Sequence, residues 1–423
     1  MKLFGFIYRL ISVIILPFIA VFLLIRLLKN KEDKKRIFER FGFSNNRNFN
    51  NQPIWIHAVS VGETNSALVL VEDLLKLSPN VTILFTTTTL SSAKILQEKI
   101  AKFNSRIIHQ FLPIDSYFCV EKFLDYWQPK IGLFVESEIW PNLILSSAKR
   151  SIAIFLVNAR ISKKSSRKWL LAKRLKINIF DYFQIIFAQS QEDKEKIQSL
   201  TKNKVLYFGN LKSQSSELLF DQQKLLELQE KTKERKLWLC ASTHQGEEEL
   251  LLKIHDNLKK QFPNLLTIIL PRHPNRSKEV IQLLDQRKFS QRSKNQLIND
   301  DIEIYLADTL NELGIFYRLV EFAFIGGSLL PIGGHNPYEA IRVNCAIITG
   351  KETFNFSEIY NDLLKVDGCA IVKNSDELEN MIRKLLNNKD LSRNYNKNAH
   401  KIINQSGNIS LQIIQTIPSF YFV

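Results

Sequence analysis

The sequence predicts an α/β fold: two Rossmann-like domains facing a central cleft, preceded by an N-terminal membrane-anchoring helix. Three observations carry this. The chain has 423 residues, too many for one ordinary core. Short β-branched runs alternate with helix-like runs, and the alternation breaks at a polar segment and starts again. The N-terminus holds an uncharged stretch, LISVIILPFIAVFLLI, from Leu10 to Ile25.

Residues 1–28 are expected to form the anchor. The uncharged stretch falls a little short of the roughly 20 residues that span a bilayer, and apolar flanks such as Phe4 to Ile7 extend it. It is apolar on all sides, which argues against a core helix with one buried stripe. No small-residue cleavage site follows, which argues against a signal peptide. Behind it come Arg26, Lys29, Lys31, Lys34, Lys35, Arg36 and Arg40, against Lys2 and Arg9 in front. The positive-inside bias then keeps the rest of the chain on the cytoplasmic face, and the same basic run suits anionic lipid head groups.

The first domain is expected over 29–212. Its strands are read at 53–60, 81–89, 106–115, 131–137, 151–160, 183–190 and 204–212, with helix-like runs between them, the second ending near Phe103. A charge-rich stretch, 213–235, reads as a helical linker. The second domain, 236–423, restarts the alternation with LWLCAST, LLTIILPRHP, IEIYLAD, FAFIGGS, CAIITG and CAIVKN. Hydrophobic content of 45% and charged content of 24% are those of a globular protein. The cysteines, Cys119, Cys240, Cys345 and Cys369, lie far apart, so neither a disulfide framework nor a zinc knuckle is expected. A net charge of +16 favours an anionic partner. No aromatic-rich RNA motif or recognition-helix pattern points to nucleic acid.

In open α/β sheets, ligands gather at the C-terminal ends of strands. After the first strand stand His57, Ser60, Gly62 and Glu63. Glu63 sits in the first turn of a helix, where the dipole and free N–H groups favour the carboxylate, and a carboxylate there suits a general base. First-turn acids also simply stabilise helices, and spacing does not separate the two roles. After the fourth strand come Glu136 and Glu138, whose i, i+2 spacing aims them apart. Lys212 ends the domain, either reaching the cleft floor or lying solvated in a loop.

The second half offers Ser242, Thr243 and Gly246, then Arg272 and His273, then Asp308, Thr309, Asn311 and Glu312. The stretch IGGSLLPIGGHNPYEA places Gly326, Gly327, Gly333 and Gly334 at turns where backbone can approach a ligand. Pro337 suits the first turn of a helix whose free N–H groups would hold an anion, and Glu339 would accept from ribose hydroxyls. This reads as a nucleotide-sugar pocket. No P-loop, no dinucleotide glycine motif and no Asp-x-Asp for a metal-chelated diphosphate is present. His57, His244, His273 and His335 are too scattered to argue a metal site.

Taken in order, WIHAVSVGE, ESEIWPN, GNLK, PRHP and GGS…GGHNPYEA resemble the 3-deoxy-D-manno-octulosonic acid (Kdo) transferases of lipopolysaccharide synthesis. The resemblance runs from the anchor to about residue 400. It implies a GT-B fold, an inner-membrane location, and inverting transfer of Kdo from CMP-Kdo to a lipid A precursor without a metal cofactor. It also implies roles: Glu63 as proton acceptor; Glu138 and Lys212 as transition-state stabilisers; Arg272, His273, Leu310, Asn311, Glu312, Asn336, Pro337, Tyr338 and Glu339 at CMP. Tyr338 stands where many members carry leucine, and Asn311 where glycine is frequent. The glycine-rich stretch is then expected to bring backbone close to the CMP phosphate and ribose. Two other readings remain at this point: a GT-B enzyme using a UDP-sugar, and a non-catalytic, membrane-anchored nucleotide-sugar-binding protein.

Overall fold

A computed structural model describes residues 2–44, 52–100, 106–214, 217–218, 220–405 and 407–422. Residues 215, 216 and 219 of the expected linker, and 101–103 at the end of the second helix-like run, lie outside the described residues. The chain divides into two compact units, Met1–Ser216 with Asn408–Val423, and Glu217–Gly407.

Unit 1 begins with α1 (Lys2–Leu28). It continues β1 (Ile54–His57), α2 (Val61–Leu77), β2 (Ile83–Thr87), α3 (Leu90–Ile100), β3 (Ile107–Phe111), α4 (Tyr117–Trp127), β4 (Ile131–Val135), α5 (Pro141–Lys149), β5 (Ala153–Ala159), α6 (Lys163–Arg174), β6 (Phe183–Ala188), α7 (Gln191–Gln198) and β7 (Lys204–Tyr207). The strands form one parallel sheet in the order β3-β2-β1-β4-β5-β6-β7. A parallel sheet is buried on both faces, so its strands read as continuous apolar runs. Alternate residues still go to opposite sides: Ile54, Ile56 and Leu133 to one core, Trp55, Leu84 and Phe134 to the other.

Unit 2 holds α8 (Gln222–Thr232), β8 (Lys236–Thr243), α9 (Glu247–Gln261), β9 (Leu265–Pro271), α10 (Ser277–Leu284), β10 (Phe289–Gln291), β11 (Ile304–Leu306), α11 (Leu313–Leu319), β12 (Phe322–Ile325), α12 (Tyr338–Arg342), β13 (Ala346–Gly350), α13 (Ser357–Lys365), β14 (Ala370–Val372), α14 (Ser375–Asn387) and α15 (Lys389–Gln405). Its parallel sheet runs β10-β11-β9-β8-β12-β13-β14. In each sheet the strand order reverses beside the first strand, between β1 and β4 and between β8 and β12. Loops part there and leave room for a ligand.

The sequence boundaries shift at two places. The segment 213–235, expected as a helical linker, is helical over α8, which buries Leu225 and Leu228 in the unit 2 core. The tail, expected in the second domain, packs on unit 1 instead. There α16 (Ile409–Thr416) and the residues after it bury Ile409, Ile413, Ile414, Ile417 and Phe422 beside Leu70 and Val71. All four cysteines are buried and free.

The stretch Leu3–Leu28 is long and apolar enough to cross a membrane. One face of α1 is nevertheless tied to unit 1. The Tyr8 hydroxyl donates to Asp115 Oδ2 at 2.9 Å, Ser12 Oγ accepts from Asn142 Nδ2 at 3.0 Å, and Arg26 Nε donates to Glu32 at 2.8 Å. So α1 is not featureless all round. The basic run behind it is also partly spent: Arg40 is buried on Glu32 at 2.9 Å, and Arg36 pairs with Glu39 at 2.7 Å.

Candidate functional site

At the reversal in unit 1, β1 ends at His57 and the chain turns into α2 through Val59 and Ser60. Ser60 caps α2 and accepts from the Glu63 N–H at 3.3 Å, while its hydroxyl donates to Glu63 Oε1 at 2.9 Å. The Val59 N–H donates to Glu63 Oε2 at 2.7 Å. Ser60-Val-Gly-Glu63 is thus a capping-box sequence, and Glu63 does stabilise its helix. Its carboxyl is also perturbed. Burial, and then the negative charges of Glu136 and Glu138, push its pKa up, against the Val59 and Ser60 hydrogen bonds.

Glu136 follows β4 with a left-handed φ of 65°. For a residue with a Cβ this is an uncommon, costly conformation of the kind that collects at functional sites. It turns the carboxylate onto Lys212 Nζ at 2.5 Å. Glu138, two residues on, turns the other way: its Oε2 accepts from Trp140 Nε1 at 2.6 Å and stands 3.4 Å from the buried His57 Nε2. His57 Nδ1 lies 3.0 Å from Thr86 Oγ1. Glu63, Glu138 and Lys212 follow β1, β4 and β7 of one sheet. Glu136 joins them and is the actual partner of Lys212. Asn158, also left-handed at 54°, holds the last turn by accepting from the Leu211 N–H at 2.9 Å.

At the reversal in unit 2, the glycine stretch meets the end of β8. A Cβ on Gly326 would stand 2.6 Å from Ser242 O, and Gly327 has φ of 67°. Under them lies Glu247, fully buried in the first turn of α9. It accepts from the N–H groups of Gly327 (2.7 Å), His244 (3.0 Å), Ser328 (3.1 Å) and Leu329 (3.2 Å). Burial still pushes its pKa up. Of the first glycine pair, the Gly327 N–H serves the chain's own carboxylate and the Gly326 N–H goes to Ala241 O at 2.8 Å, and the glycines allow β8 and β12 to close over Glu247.

Above this floor His244 and His335 stack, with Nε2 atoms 2.8 Å apart, and His273 lies edge-on to His244. One nitrogen of that close pair must donate and the other accept, so the accepting ring is neutral. Burial lowers the pKa of each, helped by His273 and Arg272, and takes His335 down to about 3. The side chains of Arg272 and His273 are exposed beside this pair. Arg272 and Glu339 share a neighbourhood as well. Burial and Glu339 raise the Tyr317 hydroxyl's pKa, and Arg272 opposes them.

The other expected CMP positions divide. Leu310 is 65% exposed. Asn311 has φ of 63°, a left-handed conformation that asparagine tolerates better than most residues with a side chain. Glu312 is engaged elsewhere: Arg292 holds it through two bonds of 2.9 Å, Lys224 reaches it at 3.1 Å, and Thr309 donates to it. Asn336 Oδ1 accepts from the Tyr338 N–H at 3.0 Å, and the Tyr338 ring lies in the core, so its side chain is structural. Pro337 precedes α12, which is a single five-residue turn rather than a full helix. Glu247 was missed from sequence. Its one signal is position, since His244-x-x-Glu247 after β8 mirrors Ser60-x-x-Glu63 after β1. Among the described residues no group of three or more His, Cys, Asp or Glu is arranged to hold a metal ion.

Residues 35–215 match the family model for 3-deoxy-D-manno-octulosonic-acid transferase (kdotransferase), and residues 221–402 match glycosyl transferases group 1. The chain is 37% identical to a 3-deoxy-D-manno-octulosonic acid transferase of Rickettsia bellii, covering 98% of this chain and 99% of that one. It is 36% identical to the enzyme of that name from Haemophilus influenzae, covering 92% of each. In fold it is similar to a UDP-N-acetylglucosamine 2-epimerase, with a TM-score of 0.60 over 88% of this chain and 97% of that one, at 13% identity. With both halves matched in order and relatives aligned end to end, the chain belongs to the 3-deoxy-D-manno-octulosonic acid transferase family, glycosyltransferases of GT-B architecture.

Proposed function

We propose that this chain moves Kdo from CMP-Kdo to a lipid A precursor, inverting the anomeric centre, with Glu63 as general base. The observation that carries the reading is the Glu63 carboxyl. It is held by the Val59 N–H and the Ser60 hydroxyl, and burial and Glu136 make it more basic than an ordinary glutamate. An acceptor hydroxyl gives its proton to Glu63 as its oxygen attacks C2 of Kdo. The bond from C2 to the CMP phosphate oxygen breaks, and CMP leaves with the electron pair. Direct displacement inverts the centre.

Lys212, paired at rest with Glu136, supplies positive charge as negative charge develops, and Glu138 is steadied by Trp140 and His57. In unit 2, Arg272, His273 and Glu339 are the side chains assigned to the nucleotide. The leaving group carries one phosphate, so the reading gives no step to a metal ion. The α1 helix anchors the enzyme in the inner membrane, and the basic residues behind it put the catalytic units on the cytoplasmic face.

The test is direct. The full-length protein in detergent is given CMP-Kdo and tetraacylated lipid A precursor, and the glycolipid is weighed by mass spectrometry. A mass gain of whole Kdo units with matching CMP release is expected, and NMR of the product should show the anomer opposite to the donor. Transfer from a UDP-sugar but not from CMP-Kdo would sink the reading.

A further inference from the structure

We propose that the cavity between α1 and the body of unit 1 seats an acyl chain of the lipid acceptor, an inference that rests on the glycolipid acceptor argued above. The cavity measures about 570 Å³, within the roughly 300–1,000 Å³ common for ligand sites. Its α1 wall is Ile11, Ile15, Ile19, Phe22 and Leu23, spaced as one helical stripe. The wall runs from Tyr8 to Arg26, which at ~1.5 Å per residue is roughly 27 Å of helix. A trough that long and apolar fits an extended hydrocarbon chain better than a sugar or a nucleotide.

The charged groups at its margins are already partnered, while the buried Thr88 hydroxyl in the same wall is not. Asp115 accepts from Tyr8 and from the N–H groups of Asn142 and Leu143. Glu32 lies between Arg26 and Arg40. An apolar occupant therefore strands no charge in the wall.

The occupant follows from what else the wall touches. Trp140 lines the cavity and donates to Glu138 of the carboxylate cluster. Thr89, also in the wall, bonds Ser92 at 2.7 Å; Ser92 donates to Val59 O at 3.0 Å, and the Val59 N–H holds Glu63. A chain seated here belongs to a molecule whose sugar head lies by Glu63. That is the acceptor rather than any lipid of the surroundings. The helix that walls the seat is itself long and apolar enough to enter a membrane, where acyl chains are at hand.

The experiment compares tetraacylated lipid A precursor with its fully deacylated disaccharide bisphosphate, using full-length protein in detergent micelles. Filling the trough with I15W/I19W should lower kcat/KM for the tetraacylated acceptor by at least about tenfold, the worth of a few methylenes kept from an apolar seat. The deacylated acceptor should be used as before. A second measurement does not depend on the variant folding. A precursor carrying a photoreactive group at an acyl terminus should label the tryptic peptide Leu10–Arg26 of the wild-type protein. Excess unlabelled precursor should compete with that label, and phosphatidylglycerol should not. Unchanged kinetics with both acceptors, an equal loss with both, or competition by phosphatidylglycerol would each overturn the acyl seat. If the wild-type protein transfers Kdo to neither acceptor, the proposed function falls, and the labelling still decides what the cavity holds.

Discussion

At residue scale the informative group is Glu63, because it serves two ends that a substitution can separate. Glutamine keeps the capping box, which takes Glu or Gln at that position, so Glu63→Gln should leave the melting temperature nearly unchanged. It cannot accept a proton, so turnover should fall by about 10²–10⁴. Near-normal turnover would leave Glu63 as a helix cap only. The raised pKa adds a pH signature. The base works ionised, so kcat/KM should rise with pH along an acid limb lying above the ordinary glutamate range. Glu136→Gln removes a negative neighbour and should move that limb to lower pH; a limb that stays put would mean another group titrates. The sign for stability follows. A carboxyl raised in the fold holds its proton longer than in the unfolded chain, so its contribution shrinks as pH rises through the folded pKa. Glu312 is the opposite case. Burial would raise it, but Arg292, Thr309 and Lys224 hold it down at about 2, so its contribution is full above the ordinary glutamate range and is lost as pH falls toward 2. Glu312→Gln should therefore cost stability and spare CMP affinity. Arg272→Ala should weaken CMP by roughly 1–3 kcal/mol in calorimetry, the worth of a charge-assisted bond. The reverse pattern would exchange their roles. From sequence, the place of these residues after strands was legible, but their partners were not. Glu312 and Arg292, or Glu247 and Gly327, meet only once distant loops converge.

At the scale of elements, periodicity carried the alternation and both parallel sheets, since an apolar strand followed by a helix has few other ways to bury itself. It failed where an element is short or where two signals overlap. The three-residue β10 carries the mostly polar Phe-Ser-Gln and has no apolar run to announce it. The α12 turn stops at five residues because Val343 and Asn344 close it, Asn344 with φ of 59°. In α1 the strong apolar signal masked a sparse polar face of Tyr8, Ser12 and Arg26, which docks the helix on Asp115 before α4, on Asn142 of α5 and on Glu32 behind the helix itself. That face sets a limit on truncation. Deleting residues 1–28 removes the side-chain hydrogen bonds of Tyr8, Ser12 and Arg26, worth about 1 kcal/mol each, but no residue of the two strand cores. The shortened protein should stay folded, melt a few degrees lower, and bind CMP as before. Calorimetry and a thermal melt read both, and loss of CMP binding would make α1 part of the fold rather than an addition to it.

At the scale of the molecule, the two sheets repeat one device, an acidic first-turn residue at the strand reversal, and put it to different uses. Glu63 is half-open and made basic, whereas Glu247 is sealed and saturated by four N–H groups. The same chain then departs from a simple two-part reading at its end. Nothing in NISLQIIQTIPSF distinguishes a last helix of the second domain from one that returns to the first, because amphipathicity fixes a buried face and not its partner. The structure makes the choice with Gly209, whose φ of 121° and missing side chain admit Ile409; a Cβ there would stand 2.6 Å from its Cδ1. Ending the chain at Gly407 should therefore harm the unit it does not belong to by sequence. Ile409, Ile413, Ile414, Ile417 and Phe422 leave the unit 1 core. At roughly 1.5–3 kcal/mol for each buried side chain, an upper bound, the loss approaches the whole stability of a domain. Unit 2 keeps every residue of its own cores, so CMP affinity should change little while Kdo transfer is lost. Limited proteolysis should then cut within 52–214 and spare 220–405. A truncated protein that resists proteolysis in unit 1, or that loses CMP binding instead, would place the tail's contribution in the other unit.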